Sequence, residues 1–170
     1  MNGFSPKLVK RVCVGVLGWW LIGLSSVLAE EETTEILLDI GSMVPKPLLG
    51  FGWSNSEMKN GRPYRWIEHL EADITIELDR IGDSILRIRA AAQYVPYTRQ
   101  TVSVYFNGHY VGEWICAGHP GFETYHLQVP TRVLKTGKNR MTLRMAYRKQ
   151  IGLDRRELSL CVDTIWLKVY

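Results

Sequence analysis

The stretch TVSVYFNGHYVGEW, Thr101–Trp114, carries the clearest structural signal in this chain of 170 residues. Val102, Val104 and Phe106 alternate with more polar residues, which is the two-residue period of a half-buried β-strand. An Asn-Gly pair at 107–108 follows, and such a pair favours a type I′ turn because both turn residues need a positive φ angle. The stretch therefore predicts two antiparallel strands joined by a tight turn.

The same alternation recurs on both sides of this hairpin, and it defines most of the remaining chain. The candidate strands are EILLDIG (35–41), PYRWIEH (63–69), ADITIELD (72–79), SILRIRAAAQY (84–94), FETYHLQVP (122–130) and RMTLRMAY (140–147). TRVLKTGKN (131–139) is long enough for only one helical turn, which Gly137 would end. About eight strands separated by Gly, Pro, Asn and Asp predict an all-β fold, an antiparallel β-sandwich of the jelly-roll type.

The last candidate strand, ELSLCVDTIWLKVY, changes its pattern in the middle. Leu160 and Val162 share one face, whereas Ile165 and Leu167 have the opposite parity. Because a shift of one residue moves every side chain to the other face of a sheet, this change predicts a β-bulge near 163–164.

The first 29 residues have the features of an export signal. Basic residues come first, at Lys7, Lys10 and Arg11. An apolar segment follows, and Val27 and Ala29 provide the small residues that a signal peptidase recognises. We therefore expect a signal peptide over residues 1–29 and a single β-sandwich domain over residues 30–170.

Export would place the protein in the periplasm or outside the cell. An uncleaved signal anchor is the alternative, because the apolar segment of about 17 residues is at the lower limit for crossing a bilayer. Membrane association is expected only in that case.

The charge distribution argues against nucleic-acid binding. The chain has 21 Lys and Arg against 17 Asp and Glu, a net charge of +4. Removal of residues 1–29 takes away three basic residues and no acidic ones, which leaves 18 against 17. A nucleic-acid interface needs a concentrated basic face, whereas these charges are interleaved.

Four motifs in the second half of the chain resemble a known group of domains. They are FNGHYVGEW (106–114), GFETYHLQVP (121–130), VLKTGKNRMTLRMAYR (133–148) and RELSLCVDTIWL (156–167). Together they resemble the galactose-binding-like jelly-roll domains of carbohydrate-binding modules. More narrowly, they are similar to uncharacterised domains of bacterial cell-envelope and glycosyltransferase-associated proteins. The resemblance implies a non-catalytic binding or accessory role on envelope glycans.

Five residues are candidate ligand contacts. In GFGWSNSEMKNGRPYRW (50–66) the aromatic rings of Trp53 and Tyr64 could stack on sugars, and Arg62 could donate hydrogen bonds to hydroxyl groups. The alternative is that Trp53 folds over one end of the sandwich as part of the core. The loop QYVPYTRQ (93–100) adds two more candidates, Tyr97 and Arg99, which could instead protect a sheet edge.

Two further pairs of residues carry weaker predictions. The resemblance implies a structural calcium ion near Asp39 and Asp163, although an Asp that binds backbone amides at a bulge is the alternative; no other cofactor is expected. Cys116 and Cys161 could form a disulfide in an oxidising compartment, or they could be two buried free thiols.

We expect no enzymatic activity, because the chain contains no nucleophile elbow, zinc-protease motif or phosphate loop. The functional prediction is an exported module that binds carbohydrate of the cell envelope. The alternative, from a different class, is a structural or assembly protein that binds an envelope protein in polysaccharide synthesis or export.

Overall fold

The computed structural model describes residues 33–42, 48–92, 98–116, 121–150 and 152–170. The predicted signal peptide, 1–29, lies outside these ranges. Within them the chain forms strands, turns and short 3₁₀ segments, with no α-helix. The same residues contain no helix with the length and apolar character needed to cross a membrane.

Ten strands form two antiparallel sheets packed as a sandwich, which confirms the predicted fold class. In chain order they are β1 (Thr34–Asp39), β2 (Trp53–Lys59), β3 (Arg62–Ile67), β4 (Glu71–Leu78), β5 (Ser84–Ala92), β6 (Thr101–Phe106), β7 (His109–Ile115), β8 (Glu123–Val129), β9 (Gly137–Met145) and β10 (Leu160–Val169). One sheet has the order β2-β3-β10-β5-β8, with β1 also paired to β10, and the other has the order β4-β9-β6-β7.

The core fills the space between the two sheets. Inward-facing side chains such as Leu86, Ile88, Phe106, Leu143 and Leu167 are at most 1% exposed. Burial of these apolar surfaces is the main stabilising contribution in a sandwich of this kind.

Two hairpin turns have the geometry that their Asn-Gly pairs require. In the β6–β7 turn the φ angles are 52° at Asn107 and 86° at Gly108, as the sequence predicts. The β2–β3 turn repeats this with 53° at Asn60 and 74° at Gly61. The predicted helical turn is a single 3₁₀ turn over Thr131–Val133.

The predicted bulge is present in β10. Its pairing with β5 shifts between Val162 and Thr164, so that Asp163 is the extra residue. On either side of the bulge, Val162 and Ile165 both face the core. The bulge therefore lets one long strand keep apolar residues inward despite the change of parity.

Candidate functional site

The bulge in β10 determines which residues reach the outer face of the six-stranded sheet. Without it, the parity of Leu160 and Val162 would turn Trp166 into the core. With it, Thr164 and Trp166 point outward, and both are partly exposed. The outer face thus gains a large aromatic ring in its middle.

Strand register aligns this tryptophan with residues from three neighbouring strands. Leu37 of β1 pairs with Trp166 of β10, Trp166 pairs with Arg87 of β5, and Arg87 pairs with His126 of β8. Neighbouring strands lie about 4.8 Å apart, so these side chains form one row across the sheet. The guanidinium carbon of Arg87 lies 4.2 Å from the centre of the Trp166 ring.

An open groove surrounds this row, and we call it the Trp166 groove. Its volume is about 470 Å³, and it is lined by Glu35, Leu37, Arg87, Arg89, Thr124, Thr164 and Trp166. Hydroxyl, carboxylate and guanidinium groups therefore border a partly exposed indole and an exposed leucine. Such a combination of an apolar platform and polar groups is typical of small-molecule sites.

Three more aromatic rings continue this face toward β3. The ring centre of Tyr64 lies 6.1 Å from those of Trp66 and Phe122. The guanidinium carbon of Arg89 lies 5.0 Å from the centre of the Phe122 ring and joins this cluster to the groove. Burial and the nearby Glu57 carboxylate raise the pKa of Tyr64, and its phenol donates a hydrogen bond of 3.4 Å to a carboxylate oxygen of Glu57.

The cations of the outer face differ in how they are neutralised. Arg89 forms an ion pair with Asp163 of the bulge. The Lys168 ammonium lies 3.2 Å from a carboxylate oxygen of Glu35. Among the described residues, Arg87 has no carboxylate within ion-pair distance. The groove therefore contains one uncompensated positive charge beside its aromatic ring.

Four of the five predicted ligand residues lie in the part of the chain that the structure describes. Tyr64 lies on the outer face, and Arg62 is exposed on the same strand near the β2–β3 turn. Arg99 is exposed just before β6, and Tyr97 lies outside the described residues.

Trp53 lies where the second interpretation of the sequence, a residue that packs on the core, would place it. Its ring packs against the hydrophobic core, and its Nε1 donates a hydrogen bond of 2.7 Å to the backbone oxygen of Asp73. This bond ties β2 of one sheet to β4 of the other. A ring held in this way closes one end of the sandwich.

The site residues that the sequence analysis missed are Arg87, Arg89, Phe122 and Trp166. Arg87 and Arg89 alternate with the apolar residues of their strand, so both are expected to face outward. Trp166 is expected to face outward as well once the bulge in β10 is taken into account. Period and bulge together could have identified these three as outward-facing. The pairing of β10 with β5, which brings them together, depends on sheet topology and is not visible in the local pattern.

The two predicted calcium ligands are engaged by other groups. One Asp39 oxygen accepts a hydrogen bond of 2.6 Å from the Ser42 hydroxyl, and Asp163 is bound to Arg89. No group of three or more His, Cys, Asp or Glu suited to a metal occurs in the part of the chain that the structure describes. Calcium at this position stays a prediction.

Cys116 and Cys161 are both buried free thiols in the structure. Cys116 belongs to the core and follows β7 of the four-stranded sheet. Cys161 has the parity of the outer face of the six-stranded sheet, where it pairs with Trp66 and Ala91. The two sulfurs therefore belong to different layers, and the disulfide considered from sequence stays a prediction.

The outer face of the four-stranded sheet carries a second groove, of about 420 Å³. Two of its arginines are paired, Arg140 with Asp73 and Arg144 with Glu71. The Arg144 guanidinium also lies 4.5 Å from the centre of the Tyr105 ring. Lys135 lines the same groove and has no ion-pair partner among the residues that the structure describes.

Comparisons with known proteins identify the fold but no sequence family. No family model matches the chain, and no curated protein matches its sequence. The C-terminal family 6 carbohydrate-binding module of LamC, a marine laminarinase from Zobellia galactanivorans, has a TM-score of 0.50 at 12% identity. The match covers 80% of this chain and 98% of that module.

Two further solved structures have similar scores. The family 35 module from Cellvibrio japonicus Abf62 gives a TM-score of 0.49 at 15% identity, over 79% of this chain and 92% of the module. The GH26-CBM35 β-(1,4)-mannanase of Podospora anserina gives 0.47 at 15% identity over 78% of this chain, which spans only 27% of that enzyme.

The fold is thus the galactose-binding-like jelly roll of carbohydrate-binding modules, and the resemblance inferred from the sequence motifs is confirmed at the level of fold. The link to envelope and glycosyltransferase-associated proteins stays a prediction.

Proposed function

We propose that this protein is a non-catalytic carbohydrate-binding module whose ligand lies on the outer face of the six-stranded sheet. The observation that carries the proposal is the Trp166 groove, where an outward indole stands beside free hydrogen-bond donors. The fold that the chain shares with the module of LamC supports the same class of function.

The chemistry of the groove suits a sugar. A pyranose has an apolar C–H face that packs on an aromatic ring and a rim of hydroxyl groups that need partners. Trp166 supplies the ring, and Arg87 and Thr124 supply polar groups on the adjacent strands. Tyr64 and Phe122 extend the aromatic surface, so that more than one sugar unit of a chain could be contacted.

Export and a role in the cell envelope form the second part of the proposal. They rest on the N-terminal segment 1–29, with its basic start, apolar middle and small residues at 27 and 29. A carbohydrate-binding module has its polymeric ligands outside the cytoplasm, so the two parts agree. Cell fractionation and N-terminal sequencing of the mature protein test this part; a mature chain beginning at Glu30 in the exported fraction is expected.

Affinity electrophoresis through gels containing soluble polysaccharides tests the binding function. We expect at least one polysaccharide to retard the protein, and Trp166→Ala to weaken that retardation by about tenfold or more, because a buried aromatic anchor contributes at least 1–2 kcal/mol to binding. Tyr110→Ala is the matched control, since Tyr110 is an exposed ring on the four-stranded sheet. It should bind as the wild type does.

Absence of retardation with every polysaccharide would contradict the proposal. An equal loss in both variants would place binding elsewhere. In the first case the alternative class, a protein that binds an envelope protein partner, becomes the better account of the exposed aromatic face.

A further inference from the structure

We propose that the Trp166 groove selects acidic polysaccharides, and that Arg87 is the residue that binds the carboxylate of a uronic acid unit. This inference rests on the proposed carbohydrate-binding function and specifies the chemical class of its ligand. It follows from the position of Arg87, from its contact with Trp166 and from the absence of an ion-pair partner for it in the described ranges of the chain.

Arg87 occupies the centre of the outer face. It is exposed, and the register places it between Trp166 on one side and His126 on the other. The next row, about 7 Å along the strands, contains Thr164, Arg89 and Thr124. A sugar on Trp166 would therefore be within reach of Arg87 from one strand and of hydroxyl groups from two others.

Stacking on Trp166 leaves the hydrogen-bond donors of Arg87 available. A guanidinium that lies over an aromatic ring presents its flat face to the ring, while its N–H groups point outward in the plane. Those N–H groups form the fork that matches the two oxygens of a carboxylate. The indole thus holds the guanidinium in place without occupying the donors that a ligand needs.

The charge balance of the groove favours an anionic ligand. Arg89 and Lys168 already have carboxylate partners, Asp163 and Glu35. A neutral glycan over the groove would remove water from Arg87 without compensating its charge, which is unfavourable. A ligand carboxylate would supply that charge, and the same groove would bind the acidic form of a polymer more tightly than its neutral form.

Paired polymers test this selectivity. Polygalacturonate and alginate are each titrated into the protein, and binding is measured by calorimetry. The control for each is the same polymer after chemical reduction of its carboxylates to alcohols. For at least one of the two polymers we expect the acidic form to bind about tenfold more tightly than the reduced form. This is the difference expected when a charge-assisted hydrogen bond is replaced by a neutral one. Binding of the acidic polymer should weaken as salt rises.

Arg87→Gln tests the assigned residue. It should lower the affinity for the acidic polymer by about tenfold more than it lowers the affinity for the reduced polymer, because only the acidic polymer loses the contact with its carboxylate. Arg132→Gln is the matched control, because it removes the same charge from an exposed position in the 3₁₀ turn. Its affinities should equal those of the wild type.

Several outcomes would overturn the inference while leaving the binding function intact. Equal affinity for acidic and reduced polymers would do so, as would an Arg87→Gln variant that loses both equally. An equal loss in Arg132→Gln would indicate unspecific charge attraction. Failure of every neutral and acidic polysaccharide to bind would instead refute the proposed function, and this inference with it.

Discussion

Two tryptophans of the six-stranded sheet, Trp53 and Trp166, have different surroundings. The Trp53 indole donates to the backbone oxygen of Asp73 and packs on the core. The Trp166 indole lies on the outer face beneath Arg87. A tryptophan whose N–H is used inside the protein serves stability, whereas one that faces a groove is available to a ligand.

Replacement of Trp53 by Phe should therefore reduce stability and leave polysaccharide binding unchanged. The variant keeps an aromatic ring but loses one hydrogen bond and some packing, which together cost about 1–2 kcal/mol. Urea unfolding followed by circular dichroism measures the loss. A variant of wild-type stability with impaired binding would show that Trp53 contacts the ligand instead.

The two buried thiols give a second prediction at the residue scale. Burial raises the pKa of both Cys116 and Cys161, so that little thiolate forms in the native protein. In a chain carrying Cys13→Ser, Ellman's reagent should react slowly with the native protein and then titrate two thiols in denaturant. Protein purified without reductant that shows no reactive thiol in denaturant would indicate that the two cysteines are joined.

At the scale of elements, the strands with a strict two-residue period give the clearest signal in the sequence. β4, β5, β6 and β9 each have a buried face and a polar face, and the Asn-Gly turn marks the β6–β7 hairpin. β2 was not predicted, because WSNSEMK is mostly polar and its pairing with β3 shifts between Trp53 and Ser56. Edge strands with such irregularities carry little periodic signal.

The candidate site was only partly predictable for a related reason. The alternation of apolar and polar residues in the strands, together with the β10 bulge, predicts which side chains of the site face outward. The ion pair between Arg89 and Asp163 joins residues 74 positions apart, and only the pairing of β5 with β10 brings them together. The glycine-rich segment 50–66 contributes to two places, since Trp53 packs against the core whereas Tyr64 lies on the outer face.

The junction between the sheets gives a prediction about glycine. At Gly52, where φ is +96°, an added Cβ would lie 2.2 Å from the backbone oxygen of Glu71. At Gly61, where φ is +74°, no atom lies within 4 Å of an added Cβ. Gly61→Ala should cost about 1 kcal/mol from backbone strain alone.

Gly52→Ala should cost about 3 kcal/mol or more, because the strand ends must also move apart. Parallel urea denaturation of the two variants makes the comparison. Equal losses of stability would mean that the close approach of β2 to β4 is not essential to the fold.

At the scale of the whole molecule, the sandwich presents two outer faces with different chemistry. On the four-stranded sheet, Arg140 and Arg144 are paired with carboxylates and Lys135 borders the groove. On the six-stranded sheet the bulge turns Trp166 outward and brings Asp163 to Arg89, while Arg87 has no ion-pair partner among the described residues.

The most direct measurement is a ¹H–¹⁵N NMR titration of the protein with an oligosaccharide cut from a polysaccharide that it binds. We predict that the Trp166 indole resonance and the amides of Arg87 and Thr124 shift with a common dissociation constant, while the Trp53 indole does not move. Shifts confined to residues around Tyr110 on the four-stranded sheet, or to the loop at Arg99, would contradict the assignment of the ligand to the Trp166 groove.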